Sequence, residues 1–472
     1  MGLAGFNPRS LSAKILFLGT SFTFLLFLYL YTNPAGFLSS IKFPSGSGFN
    51  FERIPGRCPP RAYANGRWTG PHYRTHNASV MTDKAQALAF AGFTGCASSR
   101  EFDWHLAADN VEQYPRFPNA QSYTWDVGPS DGCEGFEPLD KARVVRDMVQ
   151  QGGWLLLGDS ITEGHFFSLS CVLHPHVIAT PVYTPNSYFD RAWPQNLYLN
   201  PDSPLLQEKH FALPPGFNIT GTPLATFRRV DLLFTQDNLT RLHATLHPST
   251  AANASFALFS SEAAWSLSPK EYLPLFFDGG YSTMVVSTGG HWTTTLFGGA
   301  YAQDAPAPAR TARQGLDGVV DFFAQAMQRW ADEVQSALAE AERMDRGARK
   351  RQVLVRAYLP GHDDCHNILD PWTEVHTPKG ASYNWGSIWR YNEVFENLLS
   401  GSGAQKKYPD LHYLAIERPG RLRPDAHTTG DCLHIMAGAG VMEGWSHYIW
   451  HYVSNELGRG RHSRVNTAAA AR

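Results

Sequence analysis

Ser160 closes the run Gly158-Asp159-Ser160, and Asp431-Cys432-Leu433-His434 stands far downstream. A serine, a carboxylate and an imidazole are the parts of a nucleophilic triad. The serine hydroxyl is a weak nucleophile at neutral pH and needs a base; the imidazole supplies one, and the carboxylate holds the ring in the right tautomer. The chain order Ser, Asp, His is one of several that build this arrangement. The three-residue spacing of Asp431 and His434 predicts that they share one face of a helical turn. Gly289 and Gly290 let the backbone approach a ligand closely. Their N–H groups, with that of Ser160, are candidates to hold an oxyanion. Gly-Asp-Ser alone is a common turn sequence and means little without the second motif.

These groups need a scaffold that brings distant segments to one point. Residues 154–157 form a short apolar run that reads as a core strand, and 161–173 continues as a helix. A serine on that turn presents its hydroxyl outside the sheet, next to the free N–H groups of a helix start. Further strands are predicted over 225–233, 257–258, 281–288, 352–358 and 413–416. Residues 139–151 read as a helix, and 316–344 as the strongest one. In the latter Leu316, Val319, Val320, Phe323, Met327, Trp330, Val334, Leu338 and Ala341 repeat at helical spacing. A closing helix carries Trp445 and Trp450. Strands alternating with helices predict a doubly wound α/β sheet, whose ligands sit at the carboxyl ends of strands. Ser160, the Gly289/Gly290 pair and the Asp431 turn all follow predicted strands.

The chain has 472 residues, 43% hydrophobic, enough for a large core. Its formal charge of −2, with Lys and Arg dispersed, excludes an electrostatic footprint for nucleic acid. Thirteen Trp and nineteen Tyr suit carbohydrate stacking and suit a plain core equally well. Residues 15–31 are apolar and uncharged and reach roughly 26 Å as a helix, with Arg9 and Lys14 before them. That predicts a single signal anchor with a cytosolic tail (1–14), a flexible Gly/Ser/Pro-rich stem (32–56), a lumenal domain (57–455) and a disordered tail (456–472). The location expected is a secretory-pathway membrane such as the Golgi, in type II orientation. Cys58, Cys96, Cys133, Cys171, Cys365 and Cys432 all lie beyond the span and imply bridges, with fifteen pairings open. Sequons begin at Asn77, Asn218, Asn238 and Asn253. No cysteine spacing suits zinc or a dithiol, and His362, Asp363 and Asp364 lack further spaced ligands, so no metal is expected.

Taken together, the motifs resemble the trichome birefringence-like polysaccharide O-acetyltransferases, among the PC-esterase relatives of the SGNH hydrolases. Gly158-Asp159-Ser160 with Ser168-Leu-Ser-Cys171 is similar to that family's GDS block, and Asp431 to His434 to its DxxH block. Cys58, Gly66-Arg-Trp68, Tyr73, Cys96, Trp125 and Cys133 resemble its cysteine-rich leader. Thr288-Gly-Gly-His-Trp292 resembles its TGHW run with one extra glycine, and Arg423-Pro-Asp-Ala-His427 its RxDGH run. Ile435-Met-Ala-Gly-Ala departs from the family's Trp-Cys-Leu-Pro-Gly, and one customary cysteine is absent. The likeness runs from about Cys58 to Tyr452. It implies an SGNH-like doubly wound sheet behind a disulfide-stapled, loop-rich N-terminal wrap, and the bridges Cys58–Cys133, Cys96–Cys171 and Cys365–Cys432.

The expected reaction is a double displacement through an acyl-serine. Ser160 takes an acetyl group from acetyl-CoA or from a membrane partner that supplies one, and a glycan hydroxyl then takes it from the serine. No tightly bound cofactor is expected. His291, Trp292, Arg423, Asp425 and His427 are candidates to position the glycan, though a structural ion-pair role suits Asp425 and His427 equally. The rival reading is an acetyl esterase with the same triad; the third is a non-catalytic lumenal glycan-binding protein.

Overall fold

The computed structural model describes residues 57–457 except 73–79, 118, 184–192, 249–255, 299–311, 345–349 and 381. The chain divides into Met1–Pro55 and Gly56–Arg472, and all described residues fall in the second unit. The expected anchor, stem and most of the tail lie outside them, as do Asn77 and Asn253. Among the described residues no helix is long and apolar enough to cross a membrane.

Apolar runs form the central strands: β3 (Gly153–Gly158), β7 (Tyr281–Val286) and β8 (Gln352–Arg356) are buried at every position. Such strands need cover on both faces. They join β4 (Val177–Thr180), β5 (Gln195–Leu199), β6 (Pro223–Arg229) and β9 (Leu411–Leu414) in a seven-stranded sheet of order β4-β5-β6-β3-β7-β8-β9. From β6 to β9 all neighbours pair in parallel, while β4 and β5 add an antiparallel edge. In chain order the parallel strands read 2-1-3-4-5 across the sheet. The winding reverses between β3 and β7, and a crevice opens there at the carboxyl ends.

Helix α1 (Lys141–Gln151) starts where the Asp140 carboxylate accepts the N–H groups of Ala142 and Arg143, and it buries Val144, Val145, Met148 and Val149. It is followed by α2 (Ser160–Val172), α3 (Gln236–Leu246), α4 (Pro269–Asp278), α5 (Ala312–Met344), α6 (Ile388–Leu399) and α7 (Val441–His451). One helical group is tied by polar contacts between its helices. Trp330 of α5 donates to the Tyr272 hydroxyl of α4 at 2.8 Å, and Arg390 of α6 meets Asp317 of α5 at 2.7 Å. In the other, Trp450 of α7 donates to Asp147 of α1 at 2.8 Å, and Ser168 of α2 donates to Glu443 of α7 at 2.5 Å.

Residues 57–140 hold short helices and the two-stranded ribbon β1 (Arg67–Thr69) and β2 (Thr124–Asp126). Three disulfides join Cys58–Cys133, Cys96–Cys171 and Cys365–Cys432, across 75, 75 and 67 residues. In the chain-entropy model loops of that size stabilise by about 4–5 kcal/mol each.

Three expectations are corrected here. Residues 257–258 form no strand; nearby, Leu232 makes an isolated bridge to Ser266. The strand expected over 225–233 runs from Pro223 and ends at Arg229. Glu456, expected in the disordered tail, accepts the Cys58 N–H at 2.7 Å and pairs with His451 at 3.4 Å, so order extends through Leu457.

Candidate active site

The turn from β3 into α2 has room only for glycine at Gly158, where a Cβ would lie 2.2 Å from Thr162 Oγ1. Asp159 caps the helix, its Oδ1 accepting the Ile161 N–H at 3.0 Å. Its Oδ2 accepts the Tyr358 hydroxyl at 2.5 Å. Burial, then the neighbouring Asp159, push the Tyr358 pKa well up, so the phenol keeps its proton and stays a donor. Ser160 is the first residue of α2, and its N–H has no acceptor within the helix. That leaves it available to a developing oxyanion.

His434 meets Ser160 at the rim. The Ser160 hydroxyl stands 2.7 Å from His434 Nε2, and His434 Nδ1 stands 2.6 Å from Asp431 Oδ2. Asp431 Oδ1 accepts the N–H groups of Leu433 and His434, both at 2.8 Å. The residues expected on a helical turn therefore lie on a non-helical one, wound around the aspartate's own carboxylate. Asp431 also sets the tautomer. Nδ1 must carry hydrogen to face a carboxylate, which leaves the Nε2 lone pair for the serine proton. Burial alone would raise the Asp431 pKa, but the bond to His434, its charge and the two backbone donors together hold it well below the usual carboxylate range. Trp104 packs edge-on against the His434 ring at 5.1 Å.

The Asp431 turn is held from behind. Cys432 is bridged to Cys365 beyond β8, and the His362 N–H donates to the Cys432 carbonyl at 2.8 Å. The segment 426–428 backs His434: Thr428 N–H donates to the His434 carbonyl at 2.9 Å, and Met436 N–H to the Ala426 carbonyl at 2.8 Å. His427 Nδ1 also faces the His434 carbonyl at 3.1 Å, and its Nε2 faces His362 Nδ1 at 2.7 Å. Arg423 forks onto Asp425, with Nε–Oδ1 and Nη2–Oδ2 both at 2.9 Å. It also donates to the carbonyls of Ala120 and Ala439, and stacks over Trp68 at 4.5 Å.

The expectation that Trp292, Arg423, Asp425 and His427 touch a glycan is therefore corrected: none is more than 1% exposed. Trp292 belongs to the core, stacked on Phe297 at 4.8 Å with Phe323 at its edge. The other three hold the segment that carries His434 in place. Arg423→Met strands a buried carboxylate and is expected to lower stability by about 3–5 kcal/mol; changing Arg423 and Asp425 together to apolar residues costs less, leaving only the Ala120 and Ala439 carbonyls without their donor. Urea denaturation of both variants checks this, and a loss below about 1 kcal/mol for the single change would count against it.

His291 alone among those five reaches the surface, 17% exposed. Its Nε2 lies 3.6 Å from Asp231 Oδ1, and Tyr383 stands edge-on at 6.1 Å. Gly289 and Gly290 follow β7. A Cβ on Gly290 would lie 2.0 Å from the Tyr358 hydroxyl, so this glycine makes room for the phenol that holds Asp159. Neither glycine lines the cavity at Ser160, which is walled by Trp104, His105, Ile161, Gly164, Met442 and Trp445 among others.

Sequence reasoning missed a layer of buried charge beneath the serine. Arg356, at the end of β8, donates to Thr162 Oγ1 at 3.2 Å and stacks on Trp445 at 3.9 Å. Burial lowers its pKa to about 10, with Asp159 opposing. Glu163 forms an ion pair with Arg100 at 3.0 Å and accepts from Gln195 at 2.6 Å, and Arg229 donates to Asp231 at 2.7 Å. For Arg356 the signal was present, a charge closing the apolar run Val353 to Val355. Trp104 and His105 carried no signal, since they reach the site from a short helix in a segment without periodicity.

His362, Asp363 and Asp364 all have protein partners: His427, the N–H groups of Lys379 and Gly380, and Asn367. Cys365, His366 and Cys432 cluster closely, but the two sulfurs are bonded to each other and offer no thiolate. Asn218 is exposed in a turn, while Asn238 is half-buried in α3 and accepts from Thr235.

No protein-family model matches the chain, and no curated protein matches it.

Proposed function

We propose that this chain is an O-acyltransferase of the PC-esterase kind, related to the trichome birefringence-like proteins, that moves an acetyl group onto a glycan hydroxyl. One observation carries the reading. Three side chains from remote parts of the sequence meet as Oγ–Nε2 at 2.7 Å and Nδ1–Oδ2 at 2.6 Å, at the carboxyl rim of a parallel sheet. An imidazole aligned by a carboxylate and hydrogen-bonded to a serine is the arrangement of a nucleophile and its base.

In the first half-reaction His434 takes the Ser160 proton as Oγ bonds to the donor's acyl carbon. The C–O or C–S bond to the leaving group then breaks, and His434 returns the proton to it. Asp431 stabilises the imidazolium in between. The Ser160 N–H faces the developing oxyanion, and Gly289 or Gly290 is proposed as a second donor. In the second half-reaction a sugar hydroxyl gives its proton to His434 and attacks the acyl carbon, the C–O bond to Ser160 breaks, and His434 returns the proton to the Ser160 oxygen. The donor is acetyl-CoA or an acetyl group supplied by a membrane partner. The proposed setting is the lumen of a secretory-pathway membrane such as the Golgi, with residues 15–31 as a type II anchor, and the segment 57–140 acts as the family's N-terminal wrap.

An esterase with the same triad would pass the acyl group to water. Incubating the full-length chain with 4-nitrophenyl acetate, with and without neutral oligosaccharides, separates the two. Transfer predicts O-acetylated sugar by mass spectrometry, formed at the expense of free acetate. Free acetate as the sole product would sink the transferase reading and leave the esterase.

A further inference from the structure

We propose that His362 and His427 hold a third hydrogen between their rings, and that this shared proton positions His434 by leaving His427 free to donate to its carbonyl. The inference rests on His434 being the base for Ser160 and names what controls its alignment.

A count of hydrogens carries it. Both rings are sealed from water, His362 at 3% exposure and His427 at 0%. His362 Nε2 faces the Arg421 carbonyl at 3.0 Å, and His427 Nδ1 faces the His434 carbonyl at 3.1 Å. A carbonyl only accepts, so each of these nitrogens must carry hydrogen. A neutral imidazole has one N–H, and both are then spent on the outer contacts. The inner nitrogens, His362 Nδ1 and His427 Nε2, stand 2.7 Å apart and would oppose two lone pairs. One more proton turns that repulsion into an N–H···N bond and gives the pair a single positive charge. Asp363, Asp425 and Asp431 favour that charge, whereas Arg116 and Arg421 oppose it; Asp425 is itself paired with Arg423. Burial is the largest influence on both rings and lowers both pKa values, that of His427 furthest. The pair therefore gives up its proton as pH rises toward the ordinary imidazole value of about 6.5. Without it one outer contact must go. The His434 carbonyl has a second donor, the Thr428 N–H at 2.9 Å, whereas His362 is the one donor to the Arg421 carbonyl among the described residues. The neutral pair keeps the Arg421 bond, His427 moves its hydrogen to Nε2, and its Nδ1 lone pair then presses on the backbone of His434.

Nitrogen-15 NMR of the full-length chain, labelled at histidine, reads the pair directly from about pH 5 to about pH 8. Three hydrogens on the four ring nitrogens are expected at the acid end and two at the other, with His427→Asn assigning the signals. Alignment is read as the rate at which a serine-directed fluorophosphonate labels Ser160. In His362→Asn the side-chain amide stands where Nδ1 stood and donates to His427 Nε2 at every pH, so no third hydrogen is needed. The ratio of the wild-type rate to that of His362→Asn cancels the titration of His434 itself. That ratio is expected to fall about tenfold across the range, within the roughly hundredfold that a 1 Å misplacement costs. His427→Asn keeps a donor to the His434 carbonyl and should lose the same pH dependence, so it decides where His362→Asn does not fold. Two hydrogens at every pH overturn the shared proton, and a ratio flat in both variants overturns its hold on His434. A wild-type Ser160 that labels at no pH removes the nucleophile instead, and the hydrogen count still decides the pair.

Discussion

Ser160→Ala is expected to abolish acyl-enzyme formation and to lower turnover by on the order of 10^5-fold, while the protein folds as before. The Ser160 hydroxyl has one hydrogen-bond partner among the described residues, His434 Nε2, at the rim where water reaches the ring. Losing the hydroxyl therefore leaves no buried group stranded, and the change in stability should stay within about 1 kcal/mol. The cap on α2 is untouched, since Asp159 supplies it. Labelling with a serine-directed fluorophosphonate, together with a thermal melt, reads both halves of the expectation. An alanine variant that still forms a covalent acyl adduct would show that another residue is the nucleophile.

Asp431→Asn should come next in size, with turnover down about 10^4-fold and Ser160 still in place. The asparagine carbonyl can keep the two backbone bonds now made by Oδ1. Its amide, however, presents N–H groups to His434 Nδ1. The ring must then hold hydrogen on Nε2 and loses the lone pair that takes the serine proton. Stability carries a second signature. The folded pKa of Asp431 lies below its unfolded value, so its contribution is full above the unfolded pKa of about 3.9 and is lost as pH falls through the folded one. The substituted amide cannot titrate, so acid unfolding should become less steep below about pH 4 in the variant. An unchanged kcat would remove the carboxylate from the mechanism; an unchanged acid limb would mean its ionisation is not linked to folding.

The central scaffold could be read from the chain because buried parallel strands leave uninterrupted apolar runs, as in Trp154 to Leu157 and Met284 to Val286. Edge strands leave no such mark. β4 buries only its first residue, and β5 alternates with half-buried positions next to a Pro-rich stretch, so both were invisible. Ser160, Asp431 and His434 stood out through residue type and order. Their spacing misled on local shape, because an aspartate that accepts its own turn's N–H groups brings i and i+3 together without a helix. Arg423, Asp425 and His427 were misplaced for another reason. Polar residues near a site look like ligand contacts in one dimension, and only packing reveals that they face inward. Side chains that arrive from unpatterned segments, such as Trp104, stay hidden until the chain is folded.

The three bridges divide the triad between two covalent anchors. Cys96–Cys171 fastens the far end of the helix that begins at Ser160, whereas Cys365–Cys432 grips one of the two residues between Asp431 and His434. No bridge joins the nucleophile's half to the base's half. A newly made chain with reduced cysteines would carry every reactive group and have no covalent grip on their alignment. On the proposed reading, closing these bridges completes the site, and a thiol reductant is expected to lower turnover before the sheet comes apart.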